Sequence, residues 1–343
     1  MSKPLLEVRG LTKFFPIKQG FFNRTYGYVR AVDGVHFQVS TGETLGIVGE
    51  SGCGKSTTGR SIIRLIEPTA GEVLFEGKDL VKLPNEVMRR MRKDIQIIFQ
   101  DPYASLNPRK TIRQILLEPL HVHQVGTKAE RIQNIEEMIE IVGLKKEHLD
   151  RYPHDFSGGQ RQRIGIARAL IVKPKLIIAD EAVSALDVSI QAQILNLLKD
   201  LKKKLNLTVI FISHDLSVIK HTCDRVAVMY LGKIVEIADK QELFRNPCHP
   251  YTKALLSALP VADPLVKRAR IILKGDLPSP TNPPSGCSFH TRCEYAKDIC
   301  KSIAPTLTEI YAGQLVSCHF VQEGNDHIAL HEDTWRKEVK HEL

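Results

Sequence analysis

Apolar positions recur along the chain in two rhythms, and the switching between them outlines an α/β architecture. "VHFQVS" at 35–40 alternates apolar and polar with period two, as a half-buried strand does, and "LLEVRG" opens the chain in the same way. "TLGIV" at 44–48 is a short continuous apolar run, hence a buried strand; a glycine-rich turn follows, then a helix expected to reach about Ile66, ahead of Pro68. "PIKQGFFNRTYGY", rich in glycine and aromatics, reads as a surface insertion. Residues 104–156 carry helical periodicity, as in "RIQNIEEMIEIVGL" with Gly143 placed as a C-cap, and predict a helical insert. Beyond it "KLIIAD", "LTVIFIS" and "RVAVMY" are apolar strands separated by helical stretches, the pattern of a parallel sheet with crossover helices. After about 245 the periodicity fades into "NPCHPY" and "LPSPTNPPSGC", which predicts a second, small domain.

Composition narrows the class. A chain of 343 residues, 43% of them hydrophobic and with no biased segment, can bury one large core or two ordinary ones, which excludes disorder, collagen and repeat arrays. Its longest apolar runs fall far short of the roughly 20 residues that cross a bilayer. "MSKPLLEVRG" has regular charges and no apolar h-region, so a cytoplasmic location is expected. The formal net charge of +9 favours an anionic partner, which could be nucleotide, nucleic acid or lipid headgroups; because the basic residues are scattered, most of the excess reads as solvated surface. Of seven cysteines, Cys53, Cys223 and Cys248 are scattered, whereas Cys287, Cys293, Cys300 and Cys318 cluster near the C-terminus, which in a cytosolic protein points to metal before disulfides.

Residues 49–56 read "GESGCGKS", a full match to G-x-x-x-x-G-K-[ST] with the required strand before it and helix after it. In such a loop Gly49, Ser51, Gly52 and Gly54 let backbone N–H groups turn inward as an anion nest at the positive end of the helix. Lys55 is placed to reach the β- and γ-phosphates, Ser56 to ligate Mg²⁺, and Thr57 to add a contact to the α-phosphate. Cys53 serves spacing rather than chemistry. The apolar strand "LIIADE" at 176–181 ends in two acids: Asp180 is the Mg²⁺ ligand candidate and Glu181 the general base that polarises water against the γ-phosphate. A solvated helix start is the bland reading of two adjacent acids; beside the loop they point to ATP or GTP hydrolysis.

Four further segments in fixed order make the chain resemble the ATP-binding-cassette ATPases over about residues 4–245: "IIFQDP" at 97–102 (Q-loop), "FSGGQRQR" at 156–163 (signature), "SALD" at 184–187 (D-loop) and "ISHD" at 212–215 (His switch). The resemblance implies a P-loop NTPase with a mixed sheet, a helical subdomain at about 101–156 and a small C-terminal cysteine-containing extension. It implies that Gln100 senses Mg²⁺ and the attacking water, and that His214 contacts the γ-phosphate. Ser157, Gly158, Gly159 and Gln160 would bind the γ-phosphate held by the opposite subunit, with Asp187 at the interface, so that two chains sandwich two ATPs. Phe15 aligns with the adenine-stacking aromatic; Phe14 and Tyr26 are rivals, and core packing is the alternative for the phenylalanine. Phe156 stands where leucine is commoner, an apolar-for-apolar departure.

"FQDPYASLNPR", "RYPHDFSGGQRQRIGIARAL", "DEAVSALDVSIQAQ", "NPCHPYTKALLSALP" and "LPSPTNPPSGCSFHTRC" are similar to the oligopeptide and dipeptide importers within that family. The implied organisation is a cassette over 1–245, a peptide-importer C-terminal region over 246–322 and a polar tail over 323–343. The implied partners are a second ATPase subunit (the same chain or a different one), two integral-membrane permeases and, indirectly, an extracytoplasmic peptide-binding protein, the ATPase lying peripherally on the cytoplasmic face of the membrane. Murein peptide, nickel and glutathione importers share these motifs. A nucleic-acid-associated cassette is disfavoured because neither a second cassette, a long coiled coil nor a C-x-x-C zinc insertion is present, and an exporter half because those ATPases are commonly fused to membrane spans. The spacing C-x5-C-x6-C-x17-C over Cys287, Cys293, Cys300 and Cys318 suits zinc, an iron–sulfur centre or free thiols; the family likeness points to a structural [4Fe–4S] cluster, independent of the nucleotide residues, all of which precede 215.

Overall fold

The computed structural model describes residues 3–19, 24–259 and 270–321, so the predicted polar tail at 323–343 lies outside the described residues. The chain runs β1 (Leu6–Gln19), β2 (Arg24–Val39), β3 (Thr44–Val48), α1 (Lys55–Ile62), β4 (Ala70–Phe75), β5 (Lys78–Asp79), α2 (Asn85–Met91), β6 (Ile95–Ile98), α3 (Pro102–Ser105), α4 (Ile112–Val122), α5 (Lys128–Ile141), α6 (Gly158–Leu170), β7 (Leu176–Asp180), α7 (Val188–Leu205), β8 (Thr208–Ile212), α8 (Leu216–Thr222), β9 (Arg225–Tyr230), β10 (Lys233–Asp239), α9 (Lys240–Arg245), α10 (Pro250–Ser257), α11 (Asp298–Ser302), β11 (Thr308–Tyr311) and β12 (Gln314–Val316). It divides into two compact units: one takes residues up to 9, 37–45 and 56–213, the other 10–36, 46–55 and 214 onward.

In the first unit β6, β7 and β8 form a parallel ladder, with Ile95 opposite Leu176 and Asp180 opposite Ile212. Every residue of β7 is buried, which is why this strand reads as a continuous apolar run instead of an alternating one. Within the stretch 104–156 read as a helical insert lie α4 and α5, which pack on each other and on the following α6. Ile112, Ile115, Leu116 and Leu120 make the buried face of α4, and Ile135, Met138 and Ile139 that of α5. Both helices begin with a reciprocal capping box, Thr111 with Gln114 and Thr127 with Glu130. At the end of α5, Gly143 has a φ of +78°, the left-handed conformation expected of a C-cap glycine.

Two sequence expectations are corrected here. Helix α1 stops at Ile62, short of Ile66, because Arg64 adopts a left-handed φ of +50°. The Arg64 guanidinium holds that turn by donating to the carbonyls of Leu80 and Leu83 at 3.0 and 2.6 Å, so tertiary hydrogen bonds, not Pro68, end the helix. Of the supposed insertion at 16–28, the described residues 16–19 and 24–28 are strand: β1 runs on to Gln19 and β2 starts at Arg24, its exposure alternating as a strand's should. Aromatic and β-branched residues suit a half-buried pleated surface as well as a loop, which is why composition misled.

The second unit is antiparallel. β9 pairs with β10, β10 with β12 and β12 with β11, with Tyr230 opposite Lys233 and Glu236 opposite Val316. The described strands are therefore mixed in direction: the β6–β7–β8 ladder of the first unit is parallel, whereas its β4–β5 pair and the β9–β10–β12–β11 ladder of the second unit are antiparallel. In the C-terminal region Cys248, Ile310 and Val316 form a small buried cluster with Cys318 and Val321 against it, β12 extends the ladder begun by β9 and β10, and Phe289 packs with Tyr230 and Tyr251, ring centroids 5.2 and 5.4 Å apart. Beneath them lies a buried polar knot. The carboxylate of Glu236, wholly buried, accepts from the Cys248 and His249 N–H groups at 2.8 and 2.9 Å and from the Gln314 amide at 2.9 Å. Burial pushes this carboxyl up from the ordinary range, against the three donors that favour its charged form. His249 is held neutral, its pKa pushed down to about 3 by burial, and its Nδ1 caps α10 by accepting from the Tyr251 N–H at 3.1 Å.

Candidate functional site

The division between the units falls between Lys55 and Ser56, so the glycine loop belongs to the second unit and most of α1 to the first. Within the loop Gly49, Gly52 and Gly54 all have positive φ. A Cβ at Gly49 would overlap the Met229 carbonyl oxygen and one at Gly54 that of Ala31, so close backbone approach as well as conformation demands glycine there. The loop curls around its own lysine: the buried Lys55 ammonium donates to the carbonyls of Gly49 and Glu50 at 2.9 and 3.0 Å. That arrangement satisfies the buried ammonium. Cys53 is buried and its thiol is pushed up from its usual range by desolvation, in keeping with a spacing role.

In the first unit the chain continues into Ser56, whose hydroxyl donates to Asp180 Oδ1 at 2.6 Å. Asp180 is fully buried at the end of β7, and its other oxygen accepts from the Arg60 guanidinium at 3.2 Å. Two hard oxygen donors side by side fit a magnesium ion, which favours near-octahedral oxygen coordination with retained waters. Arg60 was not legible as a site residue: the motif ends at Ser56, and only the helical offset of four residues places Arg60 over the same carboxylate. Glu181 follows with a φ of +48°, rare for a residue with a side chain, held there by its N–H donating to the Ile212 carbonyl at 3.0 Å. Its carboxylate accepts from the Gln100 amide at 2.9 Å. Thus Ser56 meets Asp180, and Gln100 meets Glu181.

Ser157 and Gln160 close a capping box at the start of α6, Gln160 Oε1 accepting from the Ser157 N–H at 3.0 Å. A Cβ at Gly159 would overlap Ile190, so this glycine is also the point at which α7 approaches α6. Asp187 opens α7 without a side-chain cap bond, next to Val188, an apolar residue 83% exposed. His214 is exposed just past β8. Phe15 is half-buried on β1 with the Lys13 ammonium 4.9 Å from its ring centre, Phe14 has the Arg30 guanidinium at 5.6 Å, and Tyr26 is 72% exposed. None of the three belongs to the buried core.

Cys287, Cys293, Cys300 and Cys318 are all free thiols. Cys293 is pushed up to about 11, first by burial and then by the neighbouring charge that Cys318, Cys287 and Cys300 would carry, so the four lie within electrostatic reach of one another. Among the described residues, no group of three or more His, Cys, Asp or Glu side chains is placed to hold a metal ion. Arg292, between Cys287 and Cys293, also reaches the carboxylate of Glu50 inside the phosphate loop at 2.9 Å, a contact that no local pattern announces.

A glycine loop curled about a lysine, continuing into a hydroxyl paired with a strand-end carboxylate, defines a phosphate-binding loop nucleotide hydrolase. Comparison with known proteins narrows this. The family profile described as "ABC transporter" matches residues 32–184, and "Oligopeptide/dipeptide transporter, C-terminal region" matches 235–300. Oligopeptide transport ATP-binding protein AppF of Bacillus subtilis (strain 168) is 59% identical over 321 residues, spanning 93% of this chain and 98% of that protein. Among solved structures, the dimeric post-hydrolysis state of the ATP-binding cassette MJ0796 bound to ADP and Pi is similar with a TM-score of 0.61 and 30% identity, over 68% of this chain and 98% of that one. CbiO1 from Clostridium perfringens, part of the ABC transporter complex cbiONQ, gives a TM-score of 0.61 at 26% identity, over 71% of this chain and 92% of that one. The chain belongs to the ABC transporter ATP-binding proteins, in the group that carries the oligopeptide/dipeptide transporter C-terminal region. It is an ATPase cassette, and none of its described helices is long and apolar enough to cross a membrane.

Proposed function

We propose that this chain is the ATP-hydrolysing subunit of an importer of di- or oligopeptides, working as one of two subunits that sandwich two ATPs. The observation that carries the substrate class is the match of residues 235–300 to the peptide-transporter C-terminal region. Lys55 and the N–H groups around Gly49, Ser51, Gly52 and Gly54 cradle the phosphates, with Thr57 on the α-phosphate and Phe15 against adenine. Ser56 and Asp180, with Gln100, hold magnesium, which when bound offsets charge on the phosphate oxygens. Glu181 accepts the proton of the attacking water, and Gln100 fixes the orientation of its carboxylate through their 2.9 Å hydrogen bond. His214 steadies the γ-phosphate. Ser157, Gly158, Gly159 and Gln160 supply the second subunit's grip on it, with Asp187 at the interface.

Two integral-membrane permeases, fed by an extracytoplasmic binding protein, recruit the subunit to the cytoplasmic membrane face, with the helical region at 101–156 as the contact. Expression of the chain with its permeases should allow their co-purification and peptide-stimulated ATP turnover; a chain that captures no permease and responds to no peptide would remove this reading. Turnover per chain should rise with protein concentration or on adding the partner ATPase, and Ser157→Arg should depress a wild-type partner's activity at least about tenfold, since it places a bulky cation where a γ-phosphate is to be received. Full activity from a dilute, demonstrably monomeric sample would count against the sandwich.

We further propose that Cys287, Cys293, Cys300 and Cys318 hold a [4Fe–4S] cluster that ties down the proline-rich C-terminal region. What supports this reading is a set of four free cysteines in one C-terminal segment, the Cys₄ complement that such clusters take. Anaerobic purification should give a brown protein with about four irons and four labile sulfides per chain. A colourless, iron-free and well-folded preparation would end this assignment.

A further inference from the structure

Glu50, the second residue of the phosphate loop, has every polar group engaged. Its N–H donates to the Tyr251 hydroxyl at 3.0 Å. Its carbonyl accepts from the Lys55 ammonium at 3.0 Å and from the Cys53 N–H at 3.2 Å. Its carboxylate accepts from Arg292 Nη1 at 2.9 and 3.2 Å. Tyr251 and Arg292 both come from the C-terminal region that sets this group of cassettes apart. Neither is a loose surface contact: Tyr251 is fully buried with its ring centre 4.7 Å from that of Tyr230, and the Arg292 side chain is 10% exposed with its guanidinium 6.0 Å from the Tyr230 ring centre.

A carboxylate is an odd resident for a loop that gathers a polyphosphate, because like charges a few ångströms apart repel strongly wherever water is excluded. Here the carboxylate is paired with a guanidinium, and the pairing also fixes the peptide on which Lys55 rests. We propose that Arg292 and Tyr251 are positioning residues for nucleotide phosphate: Arg292 cancels the Glu50 charge and, with Tyr251, holds the first turn of the loop in its phosphate-accepting shape, so that the C-terminal region sets the loop's affinity for ATP. This rests on the reading of the loop as an ATP site. It gives the extension a task in the nucleotide cycle, since whatever moves the segment 287–293 moves a counter-charge of the phosphate loop.

The test is titration of full-length protein with a fluorescent N-methylanthraniloyl ATP and magnesium, alongside steady-state turnover and thermal denaturation. Arg292→Ala is expected to weaken ATP binding about tenfold, the scale of a lost charge-assisted hydrogen bond beside an unpaired carboxylate, with the loss falling on KM rather than kcat. Adding Glu50→Gln to Arg292→Ala should restore binding to within about threefold of wild type, because the repelling charge goes as well; Arg292→Lys should lie between. If Arg292→Ala melts below the assay temperature, Arg292→Gln, alone and with Glu50→Gln, makes the same comparison with the packing kept. A wild-type chain that binds no ATP would overturn the ATP reading and this proposal together. Wild-type binding matched by a folded Arg292→Ala, or a double variant as weak as the single, would overturn the proposal alone.

Discussion

Glu181→Gln binds ATP and does not turn it over: that is the expected result, with kcat reduced by about 10²- to 10⁴-fold, the usual contribution of a positioned general base. The substitution removes only the ability to take a proton. Glutamine is isosteric, can still accept the Gln100 hydrogen bond through its carbonyl oxygen, and leaves Lys55, Ser56 and Asp180 untouched, so ground-state binding survives while transition-state stabilisation is lost. The backbone supports a dedicated role, since a non-glycine residue at a φ of +48° is held in a sparsely populated conformation. ATP trapped without hydrolysis should also let a closed dimer accumulate. The measurement is phosphate release alongside nucleotide binding and size-exclusion chromatography with ATP; undiminished phosphate release from Glu181→Gln would remove Glu181 from the mechanism.

The second large effect is on stability. Glu236→Ala is expected to cost about 3 kcal/mol or more, because it leaves the buried N–H groups of Cys248 and His249 without their acceptor and takes from the Gln314 amide one of its two oxygen acceptors, the Asn246 carbonyl remaining. Those donors belong to the turn before α10 and to β12, so the fault should concentrate in the C-terminal region. A fall in Tm of at least about 5 °C is expected, with early proteolytic cleavage beyond residue 245. Glu236→Gln should cost less, since one oxygen remains to accept. If Glu236→Ala melts with the wild type, the knot is not what fastens this region.

The nucleotide chemistry was legible because its residues are packed into short local patterns. In "GESGCGKS" the loop, the lysine and the hydroxyl are set by consecutive residues, and nest geometry depends on backbone conformation that glycine spacing announces directly. Asp180 and Glu181 could be found at the end of an apolar strand for the same reason. Gln100 and His214 were legible only through resemblance, since a lone glutamine or histidine in a loop carries no signal of its own. Arg60, Tyr251, Arg292 and Glu236 were missed. Each acts across a long sequence separation, as in the contact from Arg292 to Glu50, and nothing in the local pattern around them distinguishes a buried partner from a surface charge.

By itself the sequence determined the α/β character, the helical insert, the phosphate loop with its acidic strand, and the gathering of four cysteines near the C-terminus, because each is written in periodicity or spacing over a few tens of residues. Tertiary structure alone decided that residues 16–19 and 24–28 are strand, that α1 ends at Ile62 under the hold of Arg64, and that β12 builds on β10 so that the C-terminal region shares a unit with the phosphate loop. The physical reason is common to all three. Short-range patterns fix which conformations are cheap, whereas the choice among them is made by hydrogen bonds and buried contacts between residues far apart in the chain, and these exist only once the chain has folded.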